Sequence, residues 1–227
     1  MANRVVIAMD TESVGVGPGG RKSAVAQVSL VNRSTGQIYN AYIRRQGITN
    51  YRTKYSGITP GILKARGRRF VDVKREVMNI LDQADILVGH SLHHDFRGLG
   101  IAPNFEIRDT SKYWRFKKAN NGKTPGLAFL ANRFLNKNIR RNGRHSCVED
   151  ANTALELYNL VEGEWEAQLR NSRRNRYNNN SQSASEYESD SEYESDSEYE
   201  SDSEYESESE YESDSEYESD SEYDYSY

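Results

Sequence analysis

The sequence has one cysteine and four prolines in 227 residues, and no apolar run long enough to cross a bilayer. The single cysteine, Cys147, excludes an internal disulfide and a zinc cluster built from several thiolates. The first four residues lack a signal-peptide pattern and lead straight into an apolar segment. We therefore expect an intracellular protein, cytoplasmic or nuclear (including nucleolar), that is not secreted and has no membrane partner.

Basic residues are missing from the C-terminal end of the chain. All 30 Lys and Arg lie within residues 1–176, whereas 20 of the 35 Asp and Glu follow Ser185. Residues 1–184 therefore carry a formal charge of +15 and the remainder carries −20, which the net charge of −5 conceals. A strongly basic body of this kind indicates a polyanionic partner.

Composition divides the chain into three segments. Residues 1–170 are long enough for one well-buried domain, and residues 171–184 form a polar linker. From Ser185 the hexapeptide SEYESD repeats six times, with Glu208 replacing Asp once. Because this segment is highly charged and has no aliphatic residue, we predict that 185–227 is disordered. Three roles stay open for this tail: binding the basic body, binding a basic partner protein, or acting as a solubilising extension.

Hydrophobic periodicity predicts an α/β fold. Strands are predicted at 5–10, 24–31, 37–43, 85–89 and 106–108, and helices at 70–84, 127–135 and 148–169. The second and third strands read as a hairpin. Strands that come first and then alternate with helices are typical of a mixed central sheet flanked by helices.

Two acids follow the first apolar run, in the segment VVIAMDTE. Because successive side chains of a strand alternate between faces, Asp10 and Glu12 should project the same way. Adjacent buried carboxylates repel each other, and a hard divalent cation such as Mg²⁺ would relieve that repulsion. Taken alone, the pair is a weak signal and is more typical of an ordinary exposed strand end.

Further acids and a histidine lie in two later segments. Asp95 follows the buried strand that ends at Gly89, near the start of a short helix. Asp150 enters the last helix, and His145 is five residues before it, so the two share no regular helical face. We therefore expect His145 on the preceding loop, leaning over a site to which Asp150 contributes.

Five ordered segments together resemble the DEDDh family of 3′→5′ exonucleases, within the ribonuclease H-like superfamily. The similarity is greatest to the branch that contains RNA exonuclease 4 and the interferon-stimulated 20 kDa exonuclease, and it covers roughly residues 4–166. The segments are MDTESVG at 9–15, YRTKYSG at 51–57, VGHSLHHDF at 88–96, RDT at 108–110 and HSCVEDA at 145–151.

The resemblance implies a ribonuclease H-like fold and a nuclease site. It implies that Asp10, Glu12, Asp95 and Asp150 bind two Mg²⁺ or Mn²⁺ ions, roughly 4 Å apart, and that His145 is the general base. The implied reaction is hydrolysis of phosphodiester bonds in single-stranded RNA, or in DNA, from a free 3′ end. The alternative is a nucleic-acid-binding or scaffolding protein that has the exonuclease fold but no turnover.

The resemblance also implies substrate contacts. The segment containing Tyr51 and Arg52 should approach the terminal nucleotide, where an aromatic ring and a guanidinium suit stacking and phosphate contact. Ser13 stands where close relatives usually have Met, so an apolar wedge against the terminal base is missing, although the backbone of Ser13 can still contact substrate. Basic runs at 66–69, 115–118 and 140–144 are candidates for guiding a phosphate backbone.

The other conspicuous side chains have ordinary structural interpretations. His90 is expected to be a structural hydrogen-bonding group, and His93 and His94 to be exposed or to start a helix. Cys147 should pack at the start of the last helix, and Glu149 should be solvated because adjacent helix positions diverge.

Overall fold

A computed structural model describes residues 4–140 and 143–188, with side chains through Tyr177. Contacts within the chain divide it into two units, Met1–Arg174 and Asn175–Tyr227. The sheet, the core and the candidate site all belong to the first unit. The described part of the second unit is helical.

The first unit contains a central sheet and its flanking helices. Its strands are β1 (Val6–Val16), β2 (Lys22–Asn32), β3 (Ile38–Ile43), β4 (Ile48–Asn50), β5 (Gly67–Arg68), β6 (Ile86–Gly89) and β7 (Glu106–Asp109). The helices are α1 (Thr53–Ser56), α2 (Pro60–Arg66), α3 (Phe70–Leu81), α4 (His93–Leu99), α5 (Trp114–Ala119), α6 (Leu127–Leu135) and α7 (Cys147–Glu188), of which the part from Asn175 belongs to the second unit. A 3₁₀ turn, Pro18–Gly20, joins β1 to β2.

The sheet is mixed, in the order β5-β3-β2-β1-β6-β7, with β4 paired to the far end of β1. The predicted hairpin of β2 and β3 is present and antiparallel, and β1 also pairs antiparallel with β2. The neighbours β1, β6 and β7 run parallel to one another. The predicted α/β class, a ribonuclease H-like mixed sheet flanked by helices, is confirmed.

Apolar layers cover both faces of the sheet, which explains the unbroken apolar run at its centre. Val6 and Ala8 of β1 face a cluster that includes Phe116 of α5, Leu130 of α6 and Tyr158 of α7. The alternate residues of β1 face the other cluster, which contains side chains of α3 and α4. Strand β1 is therefore buried on both sides, and its C-terminal end is held rigidly between two helical layers.

Several elements extend or add to the predicted pattern. Strand β1 continues to Val16, well beyond residue 10, because it stays paired with β2 across a register shift between Glu12 and Ser13. Helix α7 continues through the polar segment 171–184, which has no glycine or proline to end a helix. Residues 189–227 lie outside the described residues, so disorder and a separate role for that tail stay predictions. Among the described helices, none combines the length and apolar character needed to span a membrane.

A buried ion-pair network joins β7 to α7. Arg108 is 3% exposed, and its guanidinium donates hydrogen bonds to Glu106 at 2.6 Å and to Glu166 at 2.5 and 2.9 Å. Arg4 contacts both of these acids, at 2.6 and 3.1 Å. Removing the buried cation would leave the partly buried carboxylate of Glu166 with the half-exposed Arg4 as its remaining ion-pair partner, so Arg108 should contribute strongly to stability.

Replacing Arg108 with Met should lower the free energy of unfolding by about 3 kcal/mol, because it uncouples a buried ion pair. The matched control is Arg115→Met, whose ion pair with Glu164 is largely exposed and should be worth less than about 1 kcal/mol. Urea denaturation of the two variants, followed by circular dichroism, measures the difference. Equal midpoints for both variants would contradict the assignment of Arg108 as a structural cation.

Candidate active site

Four acids from three distant parts of the chain converge at the C-terminal end of β1. Asp10 and Glu12 come from β1, Asp95 from the first turn of α4, and Asp150 from the first turn of α7. Glu12, Asp95 and Asp150 are buried, at 8%, 6% and 1% exposed. A cavity of about 370 Å³ is lined by Asp10, Glu12 and Asp95 together with His145.

The topology of the sheet explains this convergence. Because β1 and β6 are parallel neighbours, their C-terminal ends open at the same edge. Asp95 follows β6 and is fixed by the hydroxyl of Thr11, which donates a 2.7 Å hydrogen bond to Asp95 Oδ1. This hydrogen bond holds Asp95 against β1, the strand that carries Asp10 and Glu12.

The RDT segment at 108–110 positions the loop that leads to Asp95. Asp109 accepts hydrogen bonds from the backbone N–H groups of Ser91 (2.8 Å) and Leu92 (3.2 Å). Thr110 Oγ1 lies 2.9 Å from the ring nitrogen Nδ1 of His90 and donates to the Gly89 carbonyl. Burial lowers the pKa of His90 to about 4, so this histidine is neutral and serves as a structural hydrogen-bonding group.

His145 lies on the loop before α7, beside two of the acids. Its Nδ1 is 3.7 Å from Glu12 Oε1 and 3.5 Å from Asp150 Oδ2. Its backbone N–H donates a 2.7 Å hydrogen bond to the Tyr55 carbonyl, which fixes the loop to α1. Ligand atoms of Glu12, His145 and Asp150 all lie within 4.8 Å of one another. The imidazole is therefore placed to exchange a proton with a group bound among these acids.

Arg140 enters the site although the sequence placed it only in a basic run. Its Nε and Nη2 donate to Asp150 Oδ2 at 3.0 and 2.7 Å, and it lines the cavity. Its backbone has φ of 56°, an uncommon conformation for a residue with a side chain. The guanidinium thus neutralises part of the negative charge of the four acids.

Three of the four acids, Asp10, Glu12 and Asp95, have a raised pKa. Burial raises the pKa of Asp10 well above its usual range, and the charges of Asp95, Asp150 and Glu12 raise it further. Burial, reinforced by Asp150, raises the pKa of Glu12 to about 7. Burial also raises the pKa of Asp95 to about 7, against the lowering effect of the Thr11 hydroxyl. Each of these shifts disfavours the charged form.

The carboxylate oxygens suit a hard divalent cation. Among the described residues, Asp10 Oδ2 and Asp150 Oδ1 are buried without a hydrogen-bond partner. Buried polar oxygens are normally paired, so two unpaired ones in the same cluster suggest ligands for an ion. Mg²⁺ and Mn²⁺ both accept all-oxygen donor sets, and the residues present therefore fit such metals.

The pKa of His145 is lowered, first by burial and then by the nearby charge of Arg140, while Asp150 opposes the shift. The imidazole is consequently neutral at pH 7 and can accept a proton. This is the protonation state that a general base requires.

The expected substrate contacts fall in different surroundings. Ser13 and Arg52 line the cavity, and Arg52 is held by hydrogen bonds to Ser23 Oγ and the Gly20 carbonyl. Tyr51 is not among the lining residues; it packs against an apolar cluster, and its predicted contact with substrate stays a prediction. Tyr55, four residues on, lines the cavity and is 56% exposed. Tyr51 precedes α1 whereas Tyr55 lies within it, so the two rings have different surroundings, which the sequence did not indicate.

The remaining interpretations agree with the structure. Cys147 is buried, its Sγ lies 3.0 Å from the Asp10 carbonyl, and burial raises the pKa of its thiol. Glu149 is exposed. His93 and His94 are exposed at the start of α4, and His94 also borders the cavity.

A family model of exonucleases, RNase T, matches residues 7–158. The chain belongs to this exonuclease family. The match spans all four acids and His145, and the family membership inferred from the five motifs is confirmed. Proteins named RNA exonuclease 4 are similar in sequence: that of Gibberella zeae is 43% identical over 154 residues, and that of Homo sapiens is 39% identical over 169 residues.

The chain spans less than half the length of these two relatives. The aligned segments cover 67% and 74% of this chain but 47% and 39% of the respective relatives. Among solved structures, the Pan2 catalytic unit of Neurospora crassa matches with a TM-score of 0.62 and 31% identity, over 72% of this chain and 28% of that one. A Pan2 module of Saccharomyces cerevisiae in complex with A7 RNA matches with a TM-score of 0.61 and 28% identity, over 79% and 32%.

The raised pKa of Asp95 predicts a pH-dependent effect of Asp95→Asn in a chelating buffer. The unfolded chain loses this proton near pH 4, whereas the folded chain keeps it until about pH 7. The stability of wild type therefore falls as the pH rises from about 4 to about 7, whereas Asp95→Asn has no such proton to lose. The thermal midpoint of the variant, relative to that of wild type, should increase over this pH range.

Asp72→Asn is the control with the opposite sign. A hydrogen bond from Arg69 lowers the pKa of Asp72, so its substitution should be unfavourable once that acid is charged. Scanning calorimetry at several pH values measures both differences. Adding Mn²⁺ should raise the thermal midpoint of wild type more than that of Asp95→Asn. If the difference in midpoint between wild type and Asp95→Asn is the same with and without Mn²⁺, Asp95 is not a metal ligand.

Proposed function

We propose that this chain is a metal-dependent 3′→5′ exonuclease that hydrolyses phosphodiester bonds of single-stranded RNA from a free 3′ end, with DNA as a possible second substrate. The main support is the cluster of four acids, three of them buried, with two unpaired oxygens beside a neutral imidazole. The names of the RNA exonuclease 4 relatives and the RNA bound in a Pan2 neighbour support RNA as the substrate.

In this proposal, Asp10, Glu12, Asp95 and Asp150 hold two divalent ions, Mg²⁺ or Mn²⁺. Such a pair of ions, when bound, stabilises charge on both the attacking and the leaving oxygen of a phosphodiester. The protein contributes a set of carboxylates fixed by β1, α4 and α7, so little reorganisation is needed when charge develops. Thr11 assists by restricting the rotation of Asp95.

His145 acts as the general base. Its ring is neutral at pH 7 and lies next to Glu12 and Asp150, so it can accept the proton of the attacking water. Its backbone bond to Tyr55 keeps the imidazole at the mouth of the cavity. Proton transfer by a positioned side chain typically contributes 10²- to 10⁴-fold to the rate.

The terminal nucleotide is contacted by Arg52, Ser13 and Tyr55. The exposed ring of Tyr55 can stack on a base, and the guanidinium of Arg52 can donate to a phosphate or a sugar hydroxyl. Ser13 has a small polar side chain at the position where the apolar side chain of Met, usual in close relatives, would pack against the base. We therefore expect weak discrimination among the four terminal bases.

Purified full-length protein, incubated with 5′-labelled single-stranded RNA and Mn²⁺, should produce a ladder that shortens from the 3′ end. Asp10→Asn should abolish the ladder because it removes a ligand, and His145→Ala should lower kcat about 10²- to 10⁴-fold because it removes the base. Glu149→Gln is the matched control, since Glu149 adjoins Asp150 in sequence but is exposed. It should cleave as wild type does.

The alternative of nucleic-acid binding without turnover makes the opposite prediction. Wild type and Asp10→Asn would then bind the RNA and leave it intact with every metal tested. An RNA blocked by a 3′-phosphate adds a test of polarity, because cleavage that is indifferent to this block would contradict attack from a free 3′ end.

Arg140 should compete with metal ions for Asp150. Its guanidinium donates twice to Asp150 Oδ2, so the ion pair must loosen when that oxygen takes a cation. Arg140→Gln should therefore bind Mn²⁺ more tightly, about fivefold or more if the charge-assisted pair is worth about 1 kcal/mol or more. Isothermal titration of full-length protein measures this directly. Weaker Mn²⁺ binding by Arg140→Gln would mean that the arginine supports the metal site.

The acidic tail is a separate proposal. Its 20 carboxylates could bind the basic body and reduce nonspecific RNA binding, or could recruit a basic protein. Beyond Glu188 those residues lie outside the described part of the chain, so both roles stay predictions from sequence, as does the intracellular location.

A further inference from the structure

A second, larger cavity adjoins the candidate active site. It has a volume of about 970 Å³ and shares Ser13 and His94 with the site cavity. Its walls come from the start of β2, the segment after β3, and helices α3 and α4. We call it the basic groove, because its charged lining residues are all cationic: Arg21, Lys22, Arg45, Lys74 and Arg97.

The positive charge of the basic groove is not compensated locally. Among the described residues, none of its five Lys and Arg side chains forms a salt bridge. Many cations elsewhere on the same unit do, including Arg33 with Glu162 and Lys137 with Glu156. The positive charge of the groove is therefore open to a ligand, whereas many cations elsewhere on the unit are already paired with acids.

Two of the five cations are held in place by neutral partners. Arg45 Nε donates to the Val25 carbonyl at 2.5 Å, and its guanidinium lies 4.1 Å from the centre of the Phe70 ring. Lys74 Nζ donates to the Gly100 carbonyl at 2.7 Å. Because these partners carry no net charge, the side chains are ordered while their charge stays available to a ligand.

The floor of the groove is built for close approach of α4 to the sheet. A Cβ at Gly98 would lie 2.4 Å from Val25 Cγ2, so only glycine allows this contact. Arg52 connects the two cavities, since it lines the site and donates to Ser23, which lines the groove. A ligand can therefore extend from the site into the groove without crossing an acidic surface.

We propose that the basic groove binds the phosphate backbone of the single-stranded RNA on the 5′ side of the reacting nucleotide. This inference rests on the proposed function, because the reacting 3′ end would occupy the acidic site. A row of unpaired cations suits a backbone with one charge per nucleotide. Such contacts read charge and not sequence, so they should strengthen binding to RNA of any base composition.

The test uses full-length protein and a pair of matched double variants. Lys22→Gln/Arg97→Gln removes one exposed cation from each of two groove walls, formed by β2 and α4. Lys123→Gln/Arg133→Gln removes the same charges from the connection between α5 and α6 and from α6, which belongs to the layer on the opposite face of the sheet. Binding of a 5′-fluorescent ten-nucleotide RNA is measured by anisotropy in EDTA, to prevent turnover, across a range of NaCl concentrations.

The groove variant should bind this RNA about tenfold more weakly at low salt, and its slope of log K against log[salt] should fall by about 1.4, for two lost phosphate contacts on a single strand. The control variant should match wild type in both measures. Hydrolysis of a dinucleotide with Mn²⁺ should be nearly unchanged in both variants, because a dinucleotide has no phosphate beyond the scissile one.

The possible outcomes separate the two proposals. Should wild type fail to cleave RNA while the groove variant alone loses affinity, the groove stands and the exonuclease proposal falls. Should wild type cleave while both variants bind equally well, the groove proposal falls and the enzyme remains. Tighter RNA binding by the groove variant would show that an acidic segment occupies the groove, and a parallel loss of dinucleotide hydrolysis would show an effect on the site itself. Either result would overturn the proposal.

Discussion

Repulsion among buried carboxylates is the constraint on which this structure depends. Burial raises the pKa of Asp10, Glu12 and Asp95, and the charges of the neighbouring acids raise the pKa of Asp10 and Glu12 further. No chain would hold them together by local preference, since they come from positions 10, 12, 95 and 150. The apolar layers on the two faces of β1 supply the opposing free energy, because they fix β1, α4 and α7 regardless of what their ends carry.

Ion pairs in this fold have two different roles, one structural and one in the candidate active site. The Arg108 network ties β7 to α7 with acids matched to cations, so burial is offset by charge and hydrogen bonding. At the site, Arg140 partly neutralises a surplus of acids and leaves two oxygens unpaired. In the Arg108 network the acids have cationic partners, so the network stabilises the fold by itself. At the site the unpaired oxygens need a further cation.

Sequence reasoning succeeded where the pattern is strong or long. The central strand, the hairpin and helices α3, α6 and the start of α7 follow from apolar spacing, and the family motifs place the four acids together with His145. It missed the short elements β4, β5, α1, α2 and α5, which have too few residues for a period to register. It named Tyr51 and not Tyr55, whose ring lines the cavity, because a motif identifies a segment and not the direction of each side chain; the contact of Tyr51 with substrate stays a prediction.

Arg140 and the basic groove show a further limit of sequence. Both arise from residues that are distant in the chain and meet only through the sheet, and a run of basic residues does not reveal which of them remain unpaired. The two features also bear on each other. An acidic site beside a cationic groove attracts divalent ions and phosphates to separate places, and bound ions would in turn make the site itself attractive to a phosphate. Metal binding and RNA binding should therefore favour each other, and by thermodynamic linkage each must strengthen the other to the same extent.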